Sequence, residues 1–159
     1  MTDTVSELAP TCHVVRPGES TQAKQHLLHA AGISAQTVGA QGIHMQLVTI
    51  PPLARAKAHK HAGHETAIYI LSGRSGVWFG EELEQHLFVG AGEFLYIPAN
   101  MPHLLYNPGD ADPCVAVVAR TDPNDDESVV LLGELDALFE QPVSAEGLSR
   151  TSPDALPER

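Results

Sequence analysis

An all-β domain, a sandwich or barrel of short antiparallel strands, is the fold class this sequence predicts. Thirteen glycines and twelve prolines punctuate the chain, and apolar residues make up 43% of it. The apolar runs between those breakers are short, and several alternate with period two, as half-buried strands do. There is no internal repeat. A chain of 159 residues holds one domain with a proper core and leaves little room for a second.

The elements follow in order. "QAKQHLLHAAG" (22–32) has a helix-like composition among strand-like neighbours, so both readings stay open there. "GIHMQLVTI" (42–50) alternates as a strand and stops at Pro51-Pro52. "ARAKAHKH" (54–61) alternates small and larger polar residues, which predicts another. "TAIYILSG" (66–73) is a near-continuous apolar run ending at Gly73, the pattern of a strand buried on both faces. "GVWFGEELEQHLF" (76–88) reads as a hairpin turning at Gly80-Glu81-Glu82. "GEFLYIP" (92–98), "HLLYN" (103–107) and "CVAVVAR" (114–120) are three more strands. "SVVLLGELDALFE" (128–140) starts as a strand and finishes as a short helix. The domain is expected at 37–140, with an N-terminal extension at 1–36 and a loose tail at 141–159.

A net charge of -11 and a pI near 5.1 argue against nucleic acid or an anionic membrane as partner. No run approaches the roughly 18 apolar residues of a membrane helix. The first thirty residues lack the basic and apolar regions of a secretory leader. Cys12 and Cys114 lie far apart, outside any CxxC, and fit reduced thiols in a cytoplasmic protein.

The chemistry concentrates in "AHKHAGHETAIYILSG" (58–73). Residues two apart on a strand share a face and lie about 6.6 Å apart. Lys57, His59 and His61 therefore share one face, and two imidazoles on it can converge on an ion. Alone, an HxH is better read as a solvated surface strand. Its weight grows with "GEFLYIPANMPHLLYN" (92–107), where Gly92, Pro98, Asn100, His103 and Asn107 are spaced G-x5-P-x-N-x2-H-x3-N.

The two stretches together resemble the paired signatures of the cupin superfamily, G-x5-H-x-H-x3–4-E-x6-G and G-x5-P-x-G-x2-H-x3-N. The second matches except at Asn100, where Asn stands for glycine and is the residue next most tolerant of a left-handed backbone. The first matches at His59, His61 and Gly73, with Leu53 or Ala54 near the expected glycine. The resemblance implies a single-domain cupin, a small metal-binding jelly-roll barrel, with His59, His61 and His103 as ligands. It implies a small-molecule substrate and a homodimer paired through edge strands.

A fourth ligand is expected in the family, and two counts compete for it. Counting forward from His61 reaches Glu65, as ligand or as nearby general base. Counting back from Gly73 reaches Thr66, and one residue of slip reverses the face. His64 reads as a turn residue and His86 as solvent-facing. His13, His26, His29 and His44 have no motif around them. Three histidines suit Fe(II), Mn(II), Ni(II), Cu(II) or Zn(II). Iron, with a dioxygenase-type reaction, is ranked first on family analogy. A non-redox isomerase, cyclase or lyase and a non-enzymatic ligand-binding protein are the alternatives.

Overall fold

A computed structural model of the protein describes residues 9–124 and 128–151. Among the described residues, eleven strands form two antiparallel sheets. They are β1 (Thr21–Gln22), β2 (Leu28–Ile33), β3 (His44–Ile50), β4 (His59–His61), β5 (Thr66–Ser72), β6 (Arg74–Phe79), β7 (Gln85–Gly90), β8 (Phe94–Ile97), β9 (His103–Tyr106), β10 (Cys114–Arg120) and β11 (Val129–Leu131). One sheet has the order β1-β2-β3-β10-β5-β8, the other β11-β4-β9-β6-β7. Two one-turn helices, α1 (Ala35–Val38) and α2 (Gly133–Asp136), sit in connections. Among the described residues, no helix is long and apolar enough to cross a membrane. The expected all-β class holds, as a jelly-roll barrel whose core lies between the sheets.

Alternation puts one face of each strand inside. On β5, Thr66, Ile68 and Ile70 are buried, while Ala67 and Leu71 are exposed and Tyr69 is half-buried. This strand was expected to be buried on both faces. Its outward residues are apolar, so composition hid the period-two pattern that the sheet imposes. On β10, Cys114, Ala116, Val118 and Arg120 point inward. Gly73 alone joins β5 to β6 at φ 80°, a conformation that favours glycine.

The ambiguous segment 22–32 contains strands, because Leu28–Ala30 and Ile33 pair with β3. The sheet therefore reaches N-terminal of residue 37. "ARAKAHKH" becomes a regular strand only at His59–His61. Its small residues have another role. Ala56 and Ala58 are buried, and Ala58 packs with Leu104, Tyr106, Phe139, Val143 and Leu148 in a second apolar cluster on the barrel's outside.

That cluster corrects two expectations. The segment after 140 is packed as far as Thr151: Val143 and Leu148 are buried, and Trp78 Nε1 donates to Leu148 O at 2.9 Å. Two apolar anchors hold a stretch whose overall composition reads as loose; residues 152–159 lie outside the described residues. His86 is half-buried, its Nε2 2.7 Å from the Tyr106 hydroxyl, with ring-edge contacts to Trp78 and Phe88. The two cysteines are unpaired, and burial pushes the Cys114 thiol up to about 11.

Candidate metal centre

Three buried histidines meet inside the barrel. His59 and His103 are cross-strand partners on β4 and β9, and His61 follows two residues along on the same face as His59. Each offers one ring nitrogen, and the three lie within 4.8 Å of one another. Their ring centroids are 4.3 to 5.5 Å apart. Relative exposures of 3%, 6% and 2% for His59, His61 and His103 rule out a solvated surface strand.

The backbone sets the tautomers of His59 and His103. His59 Nδ1 lies 2.7 Å from Lys57 O and His103 Nδ1 lies 2.9 Å from Met101 O. A carbonyl can only accept, so each Nδ1 donates and each Nε2 keeps its lone pair for the centre. Burial, then the neighbouring imidazoles, holds His59 well below the ordinary histidine range. Burial and the Arg120 charge bring His61 down to about 3, and burial brings His103 down to about 4. The three are neutral at physiological pH, the state metal ligation requires. The donor set fits a divalent transition ion.

The turn before His103 explains the departures from the signatures. Asn100 takes φ 63°, the left-handed conformation expected for the glycine it replaces. Its N–H donates to His61 O at 3.0 Å, and its Oδ1 accepts from Gly63 N at 2.9 Å. One asparagine thus ties the turn that presents His103 to the end of the His59–His61 strand. At the first signature's missing glycine, Leu53 takes φ 58°. The left-handed position persists without the residue that favours it. Asn107 is buried and structural: Nδ2 donates to Ile50 O and Asp112 O, and Oδ1 accepts from Gly109 N.

Glu65 is not brought to the three histidines. It is exposed, and its Oε1 accepts from the Tyr96 hydroxyl at 2.7 Å. Register follows Gly73, so Thr66 points inward and lines the cavity with the histidines, its Oγ1 unpartnered. No bulge between His61 and Thr66 restores the other parity. His64 lies in the β4–β5 turn, its Nδ1 3.4 Å from Thr121 Oγ1. Lys57 lends only its carbonyl to the centre.

Sequence reasoning missed Arg120. It is buried at 4% exposure, lines the same cavity, and places Nη1 3.3 Å from His61 Nδ1. Its Nη2 is 3.5 Å from His44 Nε2. The signal was available as a charge at inward parity ending "CVAVVAR", since buried arginines are rare without a task.

Residues 46–120, which contain all three histidines, match the family described as the cupin domain. The chain carries a cupin domain. Among solved structures, it resembles Bacillus subtilis oxalate decarboxylase, studied for its Mn(II) centres, at 22% identity and TM-score 0.62, over 74% of this chain and 30% of that one. It also resembles the formate complex of Lactobacillus farciminis oxalate decarboxylase, at 23% identity and TM-score 0.60, over 75% and 34%. At such identities the likeness is one of fold, and this cupin spans about a third of their length. No curated protein matches it at a significant level.

Proposed function

We propose that this cupin is a metal-dependent enzyme acting on a small organic molecule, with His59, His61 and His103 as the ligands of one divalent ion. Iron and a dioxygenase-type reaction are its first reading. When bound, the ion supplies Lewis acidity, and iron adds redox chemistry with O2. One observation carries the choice: among the described residues, the cavity holds no side chain suited to carry a proton near neutrality. Its polar lining beyond the ligands is Gln25, Gln46, Thr66, Cys114 and Arg120. Glu65, the expected base, is turned away. Isomerisation or elimination needs a placed acid or base, whereas oxygen incorporation into a chelated substrate makes no such demand.

A second reading, a decarboxylase-like lyase, is favoured by Arg120 together with the fold neighbours. A buried guanidinium beside three neutral imidazoles suits a carboxylate, and the neighbours are named as oxalate decarboxylases. Metal-free protein reconstituted with Fe(II) or Mn(II) and offered a panel of small organic acids separates the two. Oxygen uptake that needs iron and vanishes in His103→Ala is the expected result. Turnover with Mn(II), releasing CO2 without net oxygen uptake, would replace the first reading with the second. A homodimer is part of the proposal. The outer face of the six-stranded sheet exposes Leu71, Phe94 and Tyr96, apolar surface of the kind that pairs, and sedimentation reports the assembly.

A further inference from the structure

The cavity on the three histidines measures about 40 Å³. A water needs about 10–15 Å³ on that measure, so the space takes an ion and a few small atoms and no more. Its lining also includes Gln25, Gln46, Thr66 and Arg120, each at most 5% exposed. The body of any larger substrate must lie elsewhere. His103 also lines a second cavity of about 240 Å³, towards β6, β7 and β8. Phe79, Leu87, Leu95, Ile97 and Met101 form much of its wall. Its polar side chains are His103 and Tyr96, and the Tyr96 hydroxyl is spent on Glu65.

An apolar cavity of about 150 Å³ accepts benzene, so the outer chamber has room for one substituted ring or a branched alkyl group. Among the described residues, it contains no charged side chain to offset the desolvation of a small dianion. We propose that substrate enters through this chamber with an oxygen-bearing head leading to the histidines, and that its trailing body is apolar, aryl or branched alkyl. A compact dicarboxylate such as oxalate, charged at both ends, gains nothing from this chamber and is expected to bind more weakly than an apolar-bodied ligand. The inference rests on the three histidines being the reacting centre.

Phenol, an apolar ring with one hydroxyl, is the probe. Methyl-labelled protein is titrated with phenol, first metal-free and then with Mn(II), and oxalate is titrated in parallel. The expected result is shifts at Leu87, Leu95, Ile97 and Met101, paramagnetic relaxation of the bound phenol by Mn(II), and at least tenfold weaker binding in Leu95→Gln. Mn(II) affinity is unchanged in that variant, and Leu87→Gln provides a second reading should Leu95→Gln fold poorly. Mn(II) binding without phenol shifts in the chamber, or with oxalate bound more tightly than phenol, would overturn the inference and leave the metal reading standing. Phenol bound in the chamber without Mn(II) uptake would overturn the metal reading, and with it the link between chamber and centre.

Discussion

Metal-free protein taken from about pH 7.5 to about pH 5 will lose stability through its three central histidines. His61 and His103 are held at about 3 and about 4, and His59 is also depressed; in the unfolded chain each returns to about 6.5. The unfolded state therefore binds more protons between those limits. Stability is full above the unfolded value and falls as pH drops below it. At about pH 5 folded His61 and His103 are still neutral, while in the unfolded chain they have gained about 1.5 pH units of protonation, or about 2 kcal/mol each. The two losses total about 4 kcal/mol, with His59 adding in the same direction, against about 5–15 kcal/mol for the whole stability of a domain. Urea unfolding at the two pH values, for the parent and for His61→Asn and His103→Asn, reads each contribution. Each variant should reduce the pH-dependent loss by about 2 kcal/mol. A parent whose stability changes by less than about 1 kcal/mol would refute the claim that these imidazoles are buried and neutral.

Three further outcomes follow from particular residues. Leu53→Gly should raise stability by about 1 kcal/mol, since a left-handed leucine is strained by about 1–2 kcal/mol and glycine returns part of that as entropy; thermal unfolding measures it. Asn107→Ala should cost about 3 kcal/mol, one for each hydrogen bond lost, with no change in metal affinity beyond that of a destabilised fold. Arg120→Met should tighten metal binding by about tenfold or more, measured against a competing chelator. The Arg120 guanidinium can only donate to His61 Nδ1, and ligation through Nε2 requires that Nδ1 carry a proton. Unchanged or weaker metal binding would show that the Arg120 contact does not compete.

Much of this was legible in the sequence, and the gaps have physical causes. Strand parity put His59 and His61 on one face, the resemblance of two motifs to the cupin signatures marked them and His103 as candidate ligands, and the turn chemistry of Asn100 was readable from its tolerance of positive φ. Glu65 against Thr66 could not be decided from either end, because one residue of register reverses a strand's face and only the pairing with β8 and β10 fixes it. Arg120 escaped because a charge ending a strand usually reaches solvent. Here the parity of Cys114, Ala116 and Val118 carries it inward. His86 and the segment around Val143 and Leu148 escaped because their burial depends on one another across the outer face, a contact that no local pattern encodes.

Metal content tests the central claim most directly. Protein purified without oxygen, alongside His103→Ala and the double variant His59→Ala with His61→Ala, is assayed by mass spectrometry. Folding of each variant is checked by circular dichroism. A divalent transition metal near one per chain in the parent, lost in both variants while the barrel stays folded, is the predicted result. Equal metal in parent and variants would place the ion elsewhere and contradict the three-histidine centre.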